Sequence, residues 1–110
     1  MTLKEIIGKC GELKIDEQRS LTDEYVEVVF LAKELDQWNK LLADILGQAI
    51  KPKGANPSKE DQQLTEDYGG IHDNQTLFKK EFNGNIIIAM FWPWQDNVHV
   101  TLKAAVVKNG

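Results

Sequence analysis

An Asn83-Gly84 pair sits between two runs rich in β-branched and aromatic residues, 76–82 and 85–92. Hairpin turns of type I′ need positive φ at both central positions, which Asn and Gly tolerate and most side chains do not. The pair therefore commits the last third of the chain to antiparallel β structure. With a two-residue turn, Phe82 faces Asn85, Lys80 faces Ile87 and Phe78 faces Ala89. A four-residue loop at Pro93-Trp94-Gln95-Asp96 would then return the chain, pairing Trp92 with Asn97, Met90 with His99 and Ile88 with Thr101. The expected unit is a three-strand meander over residues 76–107.

Strand side chains alternate between faces, so this register sorts them. One face carries Phe78, Phe82, Ile87, Ala89, Phe91, Val98, Val100, Leu102, Ala104 and Val106, enough for a core. The other carries Leu77, Lys79 and Glu81, then Ile86, Ile88, Met90 and Trp92, then His99, Thr101 and Lys103. The middle strand is thus apolar on both sides. Each of its four large side chains on the second face gains about 1.5–3 kcal/mol by leaving water. The N-terminal helix, a second copy of the chain, or another partner or ligand could provide the cover. An apolar stripe flanked by polar residues is the usual mark of an interface. Ile86, Ile88, Met90 and Trp92, with Leu77 and His99 at the margin, are accordingly the candidate interface of a homodimer.

The upstream sequence supplies the layers. Leu35, Trp38, Leu41, Leu42, Ile45 and Leu46 form one helical stripe, with Asp36 a candidate N-cap and Gly47 a stop, predicting a helix over 36–47. Leu3, Ile6, Ile7, Cys10 and Leu13 predict a shorter helix over 2–14, opened by a Thr2–Glu5 capping box and weakened by Gly8 and Gly11. Residues 15–23 are polar and read as a loop. The segment 25–32, YVEVVFLA, reads as a strand, since consecutive Val-Val-Phe is a poor helical choice; the competing reading is one helix over 21–47. The fold class is α+β: an antiparallel sheet of strand 25–32 plus the meander, with helices 2–14 and 36–47 packed on it. Residues 1–110 read as a single domain with an irregular loop at 51–75, in which Ser58 could cap a short polar helix from Lys59 to Asp67 anchored by Leu64 and Tyr68.

The hairpin geometry gathers chemistry-bearing residues at one sheet end. Tyr68, His72, Asp73, Trp92, Trp94, Asp96 and His99 would share that neighbourhood. Aromatic walls with a few polar groups suit a small ligand, and a His beside an Asp can move protons near neutral pH. Tyr68, His72, Asp73, Trp92, Trp94 and Asp96 are therefore the alternative, ligand-binding set. The competing reading is a loop His, a turn Asp and tryptophans that seal the sheet end. No HxxxH, HExxH or Cys/His spacing points to a metal, and no nucleophile or phosphate-loop motif is present.

Composition narrows the class. A net charge of −4 argues against a nucleic-acid partner. The one basic cluster, Lys51, Lys53 and Lys59, reads as solvated loop charge. Segment 12–36 leans acidic, which suits either a solvated face or the docking of a basic partner. A lone cysteine and no apolar run of membrane-spanning length lead to the expectation of a cytoplasmic chain without a membrane partner. The sequence-based expectation is a non-enzymatic binding or assembly domain, homo-oligomeric or bound to a protein partner, with no cofactor and no metal. The alternative is a small metabolite-binding domain or enzyme with its pocket at the Trp92/Trp94 end.

Overall fold

The computed structural model describes residues 3–9, 13–82 and 84–108. Its order is α1 (Leu3–Lys9), β1 (Glu17–Leu21), β2 (Tyr25–Leu31), α2 (Leu35–Leu46), α3 (Lys59–Thr65), β3 (Thr76–Phe82), β4 (Asn85–Pro93) and β5 (His99–Lys108), with short 3-10 turns at Ala32–Glu34 and Glu66–Tyr68. The five strands form one antiparallel sheet in the order β1-β2-β5-β4-β3. The fold is α+β, as the alternation of strand and helix patterns predicts. Strand 25–32 joins the meander beside β5, and Ala32 begins the 3-10 turn instead of ending the strand.

The first hairpin has the expected register: Phe82 pairs with Asn85, Lys80 with Ile87 and Phe78 with Ala89. Gly84 takes φ +81°, the left-handed backbone that such a turn demands; Asn83 lies outside the described residues. The second hairpin corrects the expected loop. Trp92 pairs with Thr101, Met90 with Lys103 and Ile88 with Ala105, each four residues beyond the partner expected from a loop at 93–96. The turn forms at Gln95–Val98 instead. Trp94 N–H donates to His99 O at 2.9 Å, Asn97 takes φ 59°, and the Asp96 carboxylate accepts the Val98 and His99 amides at 2.8 and 3.0 Å. Pro93 is tolerated in β4 because β3 ends at Thr76, opposite Phe91, so no neighbour awaits its missing N–H. An even shift keeps every strand residue on its expected face. It does move Val98 from the core face into the turn, where it is 49% exposed.

Residues 17–21, expected as loop, are the edge strand β1. Its EQRSL sequence carries no apolar alternation, and its exposed charges with the irregularity between Gln18 and Ser20 are how an edge avoids further pairing. Thr22 closes the β1–β2 hairpin, its hydroxyl accepting the Tyr25 amide at 2.9 Å.

The first sheet face is the main core. Val26, Val28, Phe30, Phe78, Ile87, Ala89, Phe91, Val100, Leu102 and Ala104 meet Trp38, Leu42 and Leu46 of α2 and Leu3 and Ile6 of α1. Trp38 stacks on Phe30 at 4.7 Å between ring centroids, the anchor role its stripe predicts. Helix α2 ends at Gly47 (φ 86°), as expected, but grows out of the 3-10 turn, so Glu34 holds the N-cap position and Asp36 lies in the first turn. A carboxylate there still favours the positive end of the helix dipole. Thr2 and Cys10, with the residues around Gly11, lie outside the described residues.

The N-terminal helix therefore does not cover the second face. The segment 51–75 does. Helix α3 opens with a Ser58–Asp61 capping box, at 3.0 and 3.1 Å, and the chain then runs through Tyr68 into Ile71. Ile71, Leu77, Ile88, Met90 and Ala105 form a second buried core, with Leu64, Tyr68, Ile86 and Trp92 packed against it. Leu64 and Tyr68 are the anchors the sequence offers; Ile71, fully buried, is a third. The neck of this flap is Lys51, which reads in sequence as solvated loop charge and is in fact 1% exposed. Its backbone bridges Leu77, and its ammonium donates to the carbonyls of Asp73 (2.9 Å), Pro52 (3.3 Å) and Gln75. Burial lowers the Lys51 pKa from its ordinary value.

Gly69 shows how closely the flap seats. Its φ is +98°, and a Cβ there would lie 2.5 Å from Cη2 of Trp92. Both the left-handed backbone and the clash penalise a side chain. Gly69→Ala is expected to destabilise the fold by about 2–3 kcal/mol, read by urea unfolding, with a change in Trp92 fluorescence. Equal stability and an unchanged spectrum would mean that the flap does not rest on Trp92.

Candidate functional site

The flap covers β3 and β4 on the second face and reaches Ala105 of β5 and, through Tyr68, Tyr25 of β2. Over β1, the rest of β2 and the first part of β5, no described helix lies on this face, where Val29 and Thr101 are 1% and 5% exposed beneath the side chains around them. Parity places Tyr25 and Glu27 of β2, and Thr101 and Lys103 of β5, on this open half, with Glu17 and Arg19 of β1 beside them. Trp94 stands at its end and Trp92 at its border with the flap.

Trp94 belongs to neither buried core. It is nevertheless held in place: its Nε1–H donates to Thr101 Oγ1 at 2.8 Å, and Thr101 is 5% exposed. The His99 ring lies 4.7 Å from it, tilted by 35°, and the Arg19 guanidinium stands 5.5 Å from its centroid. Arg19 bonds Glu17 at 3.0 Å and Glu27 at 3.4 Å. Glu27 accepts the Tyr25 hydroxyl at 2.6 Å, and Tyr25 stacks on Tyr68 at 5.7 Å. Burial, then the bond to Glu27, push the Tyr25 pKa up. Lys103 completes the strip, its ammonium 3.7 Å from the Trp92 centroid and 3.3 Å from the Tyr68 carbonyl. Tyr25, Asp67, Tyr68 and Lys103 line a depression of about 360 Å³.

His99 contacts a carboxylate at each ring nitrogen, Asp96 at 2.6 Å on Nδ1 and Asp16 at 3.5 Å on Nε2. Asp96 is held down at about 2 by the Val98 amide first and by His99 second. Among the described residues no group of three or more His, Cys, Asp or Glu is arranged to hold a metal.

The sequence-predicted residues divide accordingly. Leu77, Ile88 and Met90 are completely buried beneath the flap, and Ile86 is half-buried there. The stripe that called for a partner is met within the chain. Trp92 and His99 face the open half. Tyr68, Trp92 and His72 do converge, the last two at 6.4 Å between rings, and Trp94, Asp96 and His99 converge beyond them. Asp73 does not join them: its carbonyl holds Lys51 and Gly54, and its charge acts on Lys51. His72 and Asp73 are thus no dyad, and the Asp–His contact is Asp96–His99. Sequence reasoning missed Asp16, Arg19, Tyr25 and Glu27 as members. Their signal is the odd-numbered parity of Tyr25 and Glu27 on a strand, opposite Lys103 and Ala105 once β2 is paired with β5.

No family model matches this sequence, and comparison with curated proteins and with solved structures returned no match. Fold and site geometry alone carry the functional argument.

Proposed function

We propose that this chain is a non-enzymatic binding domain that docks a basic protein segment on the open half of its second sheet face. The observation behind this reading is Trp94, an aromatic that neither core uses, pinned by Thr101 and flanked by His99, which meets Asp16 and Asp96, and by Arg19, which meets Glu17 and Glu27. Trp, Tyr and Arg are the residues that dominate binding energy at protein interfaces, and a side chain already fixed loses little entropy on docking. Val98, in the turn that follows Trp94, adds exposed apolar surface. The charge selects the occupant. Four carboxylates against Arg19 and Lys103, on a chain of net charge −4, oppose a second copy and attract Lys and Arg. Of the acidic segment 12–36, Asp16, Glu17 and Glu27 belong to this strip.

The test is an NMR titration with a short peptide of Arg, Lys and Leu, against a control in which Glu replaces each basic residue. Shifts are expected at the Trp94 indole, Arg19 and His99, weakening as salt screens the pairs. Trp94→Ala and Glu17→Gln are each expected to weaken binding about fivefold or more. Equal response to the acidic control, or shifts away from this strip, would overturn the reading. Concentration-dependent sedimentation of the chain alone would favour a second copy as the occupant instead.

A further inference from the structure

Neutral imidazole has one N–H, while imidazolium has two. With Asp96 Oδ2 at 2.6 Å from Nδ1 and Asp16 Oδ2 at 3.5 Å from Nε2, neutral His99 satisfies one carboxylate and turns a lone pair toward the other. Protonated His99 donates to Asp96 and forms an ion pair with Asp16. The two carboxylates belong to different elements. Asp96 lies in the β4–β5 turn, and Asp16 leads into the edge strand β1, its amide donating to Val29 O at 2.8 Å. His99 therefore reaches from β5 across β2, where its register partner is Leu31, to the start of β1.

The charged groups around it can be named element by element. Asp16 approaches from the segment before β1 and Asp96 from the turn. Arg19 of β1 stands near the ring of Trp94, which His99 also contacts, and is itself engaged by Glu17 of β1 and Glu27 of β2. Among the described residues no second cation pairs with either aspartate, so the proton on His99 decides whether both are neutralised together.

We infer that His99 is a proton-operated latch: charged, it ties Asp16 and Asp96 together beside Trp94; neutral, it releases Asp16. Its consequence for docking rests on the reading of this patch as a site for basic segments; the latch itself does not. A Lys or Arg of the partner and the proton on His99 compete for the same carboxylates. By linkage each weakens the binding of the other. Histidine is the side chain suited to switching charge between about pH 5 and 8.

Two measurements on the intact chain test this. The first is hydrogen exchange of the Asp16 amide at about pH 5.5 and about pH 8, each rate divided by its intrinsic value, in the wild type, His99→Gln and Asp16→Asn. Protection in the wild type is expected to be about fivefold greater at the lower pH and to be flat in both variants. The second is affinity for the Arg/Lys/Leu peptide, expected to fall about fivefold from the higher to the lower pH in the wild type and to stay level in His99→Gln. Protection that is flat in the wild type, or that keeps its pH dependence in His99→Gln, overturns the latch. A peptide that binds at both pH values with flat protection removes the latch and keeps the docking site. A peptide that binds at neither, with the protection change intact, removes the docking site and keeps the latch.

Discussion

Ile88→Glu is expected to leave the chain largely unfolded at room temperature. Ile88 is fully buried at the centre of the second core, with Ile71 of the flap, Leu77 and Met90 as fellow members. A carboxylate there must be desolvated with no partner or taken up as its neutral acid, and either route costs several kcal/mol beyond the lost apolar contacts. A loss of about 4–6 kcal/mol equals the whole stability of a domain at the lower end of the usual 5–15 kcal/mol. Ile88→Val, which removes one methylene, is expected to cost only about 1 kcal/mol. Circular dichroism with thermal melts distinguishes the two. The outcome also separates an internal core from an oligomer interface. Had the stripe been an interface, Ile88→Glu would lower the mass in solution and leave a folded monomer. A folded, stable Ile88→Glu variant would mean that the flap does not cover the second face.

Lys51→Met is expected to lower stability by about 3–5 kcal/mol, through the loss of charge-assisted hydrogen bonds to three carbonyls. Methionine matches the length of the stem and keeps its packing, so the missing ammonium is what the variant reports. The carbonyls of Pro52, Asp73 and Gln75 would be left competing for water at the neck that joins both ends of the flap. Removing the buried cation also relieves its desolvation, and for that reason the expected loss is smaller than three separate bonds would imply. Urea unfolding gives the stability, and hydrogen exchange over residues 71–77 shows whether the flap loosens first. An unchanged unfolding midpoint would mean that the neck is held by the Lys51–Leu77 backbone bridge alone.

These residues also show where sequence patterns stop. The Asn83-Gly84 pair and the alternation on either side of it determined the first hairpin and both faces of the meander, and apolar spacing from Leu35 to Leu46 determined the helix stripe. These are local effects: backbone sterics at a turn, and the two periods of strand and helix. The open site was legible only in part. Trp92, Trp94, Asp96 and His99 were visible because the hairpin gathers them. Arg19, Tyr25 and Glu27 were not, because their membership depends on β2 lying beside β5, a contact between segments some seventy residues apart.

Tertiary structure decided the rest. Apolar periodicity cannot find β1, since an exposed edge strand has nothing to alternate. Turn residues alone pointed to a β4–β5 loop at 93–96, and the carboxylate of Asp96, binding the Val98 and His99 amides, holds the turn at 95–98 instead. The sequence required that Ile86, Ile88, Met90 and Trp92 be covered, because four large apolar side chains do not stay in water. Which element covers them depended on a lysine buried among backbone carbonyls and a glycine seated on a tryptophan. Residue type tells little about either role, for a lysine is ordinarily a surface residue and a glycine ordinarily a turn.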